Sequence, residues 1–222
     1  GYSSAASDVY KRQSYGSAFA NDKCPQQVSD FFNQIENDKP VDIHFNSGGG
    51  DVFAGIAIAS LIKAHEGTTT GYVDGIAASI ASVILCACDR VIMNTGAQVM
   101  IHKPMTGCWG NAADFAAVIE QLDIAQESIV DIYESKLAEG VTKEKISAAV
   151  DRETWITTRN VGDYFNFEID ATSEPMAACA STFYDKYIQT PKNVKNAAAG
   201  ALHTDKNALK DKILCELCLY GI

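Results

Sequence analysis

Four places in the sequence carry residue types that together could hydrolyse an acyl bond. Ser79 stands in G-Y-V-D-G-I-A-A-S-I-A-S at 71–82, where a short apolar strand gives way to a helix. A hydroxyl at that helix entrance lies beside backbone N–H groups that have no partner in the first turn. His102, in V-M-I-H-K-P at 99–104, ends an apolar strand where the chain leaves the sheet, so a neutral imidazole there could take the serine proton and return it to a leaving amine. Asp151 and Glu153, in V-D-R-E-T-W-I-T at 150–157, could each hold the histidine tautomer and stabilise the imidazolium, or could be solvated surface charges. The turn Gly48-Gly49-Gly50 lets the backbone approach a substrate and present N–H groups, as an oxyanion hole requires.

Each feature also has a plainer meaning. Ala77, Ala78, Ser79, Ala81 and Ser82 suit close packing of a buried helix, and three glycines suit a flexible turn. His44 within a strand, His65 at a polar helix end and His203 in the tail are weaker candidates for a base. No Lys-Ser or Lys-Thr follows the glycines, so the turn is not a Walker loop and nucleotide binding is not expected.

The elements that must position these residues emerge from periodicity. Val28, Phe31, Phe32 and Ile35 share one face of a helix starting at Pro25. A strand over Val41–Phe45, the turn at 46–51 and a helix over 53–65 come next. The spacing then predicts a strand over Thr68–Val73, a helix over Ala77–Ala87, and strands over Arg90–Met93 and Gln98–Ile101. A long amphipathic helix is expected over Asn111–Glu139 and a shorter one over Thr142–Val150, with Thr142 as N-cap. Repeated strand-then-helix order indicates an α/β domain with ligands gathered at the strand ends. Residues 1–24 read as a loose N-terminal extension, 25–172 as the working domain, and 173–222 as a helical or flexible tail.

Composition narrows the function. The 222 residues, 47% of them hydrophobic, with 5 prolines, supply material for a buried core. With 18 basic against 28 acidic residues and a formal charge of -10, no basic cluster exists to hold nucleic acid. The most apolar stretch, Ile76–Ala87, falls short of the roughly 18 to 20 residues needed to cross a bilayer, and no basic-then-apolar leader opens the chain. A soluble, cytoplasmic protein is expected, with no metal and no cofactor. The seven cysteines read as reduced core thiols, and Cys215 and Cys218 form a single C-x-x-C without a second pair.

Taken together, N-S-G-G-G-D-V-F-A-G, G-I-A-A-S-I-A-S, M-I-H-K-P and D-R-E-T-W-I-T resemble, in order and spacing, the Clp protease proteolytic subunit family, ClpP, and most nearly the ClpP-like head maturation proteases of phages and prophages. The resemblance covers about residues 25–170. It implies the ClpP/crotonase fold of repeated β-β-α units, with the helix from Asn111 as an oligomerisation handle. It further implies a serine endopeptidase with Ser79 as nucleophile, His102 as general base and Glu153 as third member, Asp151 being the fallback. The oxyanion donors it implies are the backbone N–H groups of Gly50 and Ile80. A homo-oligomeric ring acting on polypeptide substrates is implied as well, with a separate AAA+ unfoldase or phage capsid and portal proteins as partners, in a bacterial host or encoded by a phage.

The sequence departs from the family at three points. Gly48 stands where proline is usual, Glu153 where cellular enzymes have aspartate, and a glycine usual near the end of the domain is not evident in D-Y-F-N-F-E-I. Two other readings share the fold, a crotonase-type acyl-CoA enzyme and a non-catalytic capsid or scaffold component. A serine protease with a lysine base is disfavoured by the position of His102.

Overall fold

Chain order runs α1 (Pro25–Phe32), β1 (Val41–Ser47), α2 (Val52–Ala64), β2 (Thr69–Ala78), α3 (Ile80–Cys86), β3 (Arg90–Asn94), β4 (Gln98–Ile101), α4 (Ala112–Glu134), α5 (Lys143–Asp151), β5 (Thr154–Thr157), β6 (Glu168–Asp170) and β7 (Leu217–Gly221). This computed structural model describes residues 23–174 and 181–195, and the backbone of 217–221. The mixed α/β arrangement is the one the family resemblance implies.

The sheet is built on β2. Along one edge β2 pairs in parallel with β1, from Val41 opposite Thr69 to Ser47 opposite Ala77. Along the other edge it changes partner: its first half pairs with β3, up to Val73 opposite Met93, and its last residues pair with β4, from Ile76 opposite Gln98. The β1–β2 register slips at the same level, between Phe45 and Ser47. Irregular pairing of this kind bends a strand and re-aims the residues at its end. Asp74 fastens the fork by accepting from Asn94 Nδ2 at 2.9 Å and lying 3.0 Å from His44 Nδ1.

Buried apolar side chains on β1, β2 and β4, among them Ile43, Phe45, Val73, Val99 and Ile101, are covered by Ile58 and Ile62 of α2 and by α3, every residue of which is buried. Strands covered on both faces read as continuous apolar runs, which makes them visible in the sequence. Helix α2 starts because the Asp51 carboxylate accepts the N–H of Ala54 at 2.8 Å, and α5 because Thr142 Oγ1 accepts that of Lys145 at 3.3 Å. At α4, Asn111 and Asp114 cap each other's N–H groups. The first half of α4 stands in solvent with Phe115 and Ile119 exposed, and its second half buries Ile129, Val130 and Tyr133.

Three expected boundaries move. Ala77 and Ala78 belong to β2 rather than to the helix, because both pair with Val99 and Met100 and are fully buried; tertiary pairing outweighs the helix propensity of alanine. Helix α4 ends at Glu134, since the chain beyond turns to bring Leu137 opposite Phe165. Residues 181–195 and β7 fall in the stretch expected as a tail. Tyr184, Tyr187 and Val194 are instead buried with Ile76, Ala78 and Met100, and β7 adds an antiparallel strand to β1. The expected N-terminal extension lies outside the described residues except at its last two positions. Cys215 also lies outside them, and Cys218 is described only through its backbone, opposite His44.

Candidate active site

Strand β2 delivers Ser79, which caps α3 in a conformation far from helix or strand, with φ 56° and ψ -128°. The N–H of Ser79 donates to the carbonyl of Met100 at 2.8 Å, extending the β2–β4 ladder to the serine itself. Two residues beyond Met100 the chain leaves β4, and His102 swings its ring back so that Nε2 lies 2.7 Å from Ser79 Oγ. Residues 23 positions apart are thereby joined through adjacent strand ends. Burial holds the His102 imidazole below its usual pKa, opposed in part by the negative charge of Glu153. A neutral ring in hydrogen-bond contact with a hydroxyl is the geometry a general base needs.

The glycine turn packs against the serine. Gly49 has φ +104°, and a Cβ there would come within 2.7 Å of Ser79 Cβ and 3.1 Å of the Ala78 carbonyl, so only glycine fits without displacement. Its N–H is held by Ser47 Oγ at 3.2 Å. Gly50 is exposed with open space around it, and Ile80 opens the first turn of α3, where N–H groups have no intrahelical acceptor. Of the two implied oxyanion donors, Ile80 directly follows Ser79 in the chain, and Gly50 follows the glycine that packs on it.

The two acids part company. Asp151 ends α5 on the surface and pairs with Lys103 Nζ at 3.0 Å. Glu153 is 7% exposed and occupies a left-handed turn at φ 54° just before β5. Its carboxylate accepts from Trp155 Nε1 at 3.1 Å and from the backbone N–H groups of Ile188 and Gln189 at 2.6 Å each. Three donors leave such a group about one free acceptor site of four.

Residues 184–189 complete the surroundings of the site. The Tyr187 hydroxyl donates to the Gly48 carbonyl at 2.6 Å, and its ring lies 4.9 Å from that of His102, with the Trp155 ring 6.4 Å away on another side. No pattern in the sequence signals these neighbours, because Tyr184 and Tyr187 sit among Asp, Lys, Gln and Thr without a sustained period.

The remaining histidines of the described residues lie elsewhere. His44 pairs with Asp74 and stacks on Tyr72, and His65 Nε2 meets the Lys39 carbonyl at 2.6 Å. His203 lies outside the described residues. Among the described residues no group of His, Cys, Asp and Glu could hold a metal ion, Cys24, Cys86, Cys88 and Cys108 are free, and no helix is long and apolar enough to cross a membrane.

The sequence matches the Clp protease family over residues 7–164. It is 35% identical over 130 residues to the ATP-dependent Clp protease proteolytic subunit 1 of Chlamydia abortus, covering 57% of this chain and 67% of that protein. The ATP-dependent Clp protease proteolytic subunit of Bacteroides fragilis is 28% identical over 136 residues, 60% of this chain and 65% of that one. Subunit 3 from Rhodococcus jostii is 32% identical over 124 residues, 55% and 60%. The chain thus spans about two thirds of the length of these relatives. The chain belongs to the Clp protease family, the ClpP-like serine peptidases.

Proposed function

We propose that the protein is an endopeptidase that cleaves peptide bonds through an acyl-enzyme on Ser79. The observation that carries this reading is the 2.7 Å contact between Ser79 Oγ and His102 Nε2 beside the glycine turn. In the first step Ser79 Oγ attacks the scissile carbonyl carbon while its proton passes to His102 Nε2. The negative charge that develops on the carbonyl oxygen is met by the N–H groups of Gly50 and Ile80, fixed main-chain donors of the kind that need no reorganisation. Collapse of the tetrahedral species breaks the C–N bond, and the imidazolium returns its proton to the departing amine. Water then repeats the sequence against the acyl ester, with His102 as base, and frees Ser79. Glu153 is the third member, its charge favouring the imidazolium.

The substrates in this reading are polypeptides, and the working form is a homo-oligomeric ring. The exposed apolar face of α4, with Phe115 and Ile119, supports that assembly. The relatives named above are proteolytic subunits of ATP-dependent proteases, which supports delivery of unfolded chains by a separate ATPase. Phage head maturation, with capsid and portal proteins as partners, is the competing setting. Adjacent portal and major capsid genes would decide for it, and an adjacent unfoldase gene against it.

A fluorophosphonate probe tests the chemistry. Phosphonylation mapped to Ser79 by mass spectrometry, and lost in Ser79→Ala, is the expected result. Labelling that persists in Ser79→Ala, or a folded protein that takes up no label, overturns the assignment.

A further inference from the structure

We propose that Tyr187 is a positioning residue of this site, its hydroxyl fixing the Gly48–Gly49 peptide of the oxyanion turn and its ring fixing the imidazole of His102. The inference rests on the hydrolytic reading above and adds to it a residue beyond the stretch that matches the family, which ends at residue 164.

The Gly48–Gly49 peptide is pinned at both ends. Its carbonyl oxygen accepts from Tyr187 Oη at 2.6 Å, and its N–H donates to Ser47 Oγ at 3.2 Å. A Cβ on Gly49 would come within 3.0 Å of Tyr187 Oη, so the phenol packs directly on the turn. Glycine, unlike proline, leaves the turn free to rotate its peptide planes, and a shift of the Gly48–Gly49 plane would carry the next plane with it and turn the Gly50 N–H away from the oxyanion. With Gly48 at the position where a proline would have restricted the turn, the phenol supplies the restraint from outside. The same side chain lies 4.9 Å from the His102 ring, 58° from parallel, and limits how far the imidazole can tilt from Ser79. Tyr187 is itself held: it is buried, and the next two backbone N–H groups in the chain bind the Glu153 carboxylate. One segment therefore touches the turn, the histidine and the acid.

The test compares wild-type protein with Tyr187→Phe and Tyr187→Ala, following inactivation by an alkyl fluorophosphonate to separate the limiting rate from half-saturation. Tyr187→Phe keeps the ring and removes the hydroxyl. It should slow the limiting rate of phosphonylation about tenfold or more, with half-saturation within about twofold and thermal stability near wild type, because a misaimed oxyanion donor acts on the transition state and not on probe binding. Tyr187→Ala should be slower still. An unchanged limiting rate in Tyr187→Phe, a change confined to half-saturation, or faster labelling in either variant overturns the proposal, the last by making the phenol an obstruction. If wild-type protein forms no Ser79 adduct, the hydrolytic reading itself has failed, which is a different result from equal rates in both proteins.

Discussion

Ser79 and Glu153 are both held in the left-handed region of backbone space, at φ 56° and 54°, and among the described residues no other non-glycine residue is. Such conformations cost about 1–3 kcal/mol each and persist only where the surroundings impose them. Here the Met100 carbonyl fixes the N–H of Ser79, and the N–H of Glu153 donates to the Val150 carbonyl at 3.3 Å. Two substitutions that remove the serine hydroxyl should therefore differ in stability. Ser79→Gly and Ser79→Ala should both lose labelling, while Ser79→Gly should be the more stable by about 1 kcal/mol. Thermal melts should show this as a gap of about 2–4 °C. A more stable alanine variant would mean that the turn is not strained.

The pH dependence of labelling should report the buried imidazole. His102 must be neutral to accept the serine proton, and burial lowers its pKa from the usual value of 6.5. The rate should thus hold to more acidic pH than an exposed histidine would allow, falling only as pH drops through the lowered pKa. An acid limb centred above 6.5 would contradict the assignment.

Glu153 and Asp151 can be separated by amide substitution. Glu153→Gln places an NH2 group among three donors and removes the charge that favours the imidazolium, so the rate should fall about a hundredfold or more. Limited proteolysis should also cut the 181–195 segment faster in that variant. Asp151→Asn breaks one exposed ion pair with Lys103, worth at most about 1 kcal/mol, and should leave the rate within about twofold. Loss of activity in Asp151→Asn alone would reverse the assignment.

The His44–Asp74 pair gives a second, independent pH effect, on stability. The hydrogen bond to Asp74 raises the His44 pKa, opposed by partial burial and assisted by the charges of Asp74 and Asp42. A raised folded pKa means that the stabilisation is complete below the unfolded value near 6.5 and disappears as pH rises through the folded one. The difference in urea midpoint between wild type and His44→Gln should accordingly be larger at about pH 5.5 than at about pH 8.5. Equal differences at the two values would leave the pair without a charge-dependent role.

The exposed half of α4 should behave as an interface. Ile119 is 60% exposed and Phe115 48%, and a charge at either costs the folded monomer little. Light scattering should show Phe115→Glu and Ile119→Glu reducing the assembly to smaller species without unfolding it. Unchanged mass in both variants would remove α4 from the assembly surface.

The features legible in the sequence are local ones. The turn at 46–51 declares itself through its glycines, and β4 through an apolar run ending at His102, Lys103 and Pro104. The end of β2 is hidden because Ala77 and Ala78 favour a helix until β4 pairs with them. The contribution of Tyr187 is hidden for a different reason. Its partner Gly48 is 139 positions away, and a contact of that separation has no periodicity to betray it. The distinction between Asp151 and Glu153 likewise depends on where a helix stops, which composition does not specify.

The change of neighbour along β2 has an evolutionary consequence. Nucleophile and base are separated by a span of main chain, Ser79 N–H to Met100 carbonyl and then two residues to His102, rather than by a stack of side chains. Their spacing is inherited from backbone geometry, so the surrounding core can exchange one apolar residue for another without retuning it. A site framed in this way tolerates wide sequence drift, provided the strand fork itself is kept.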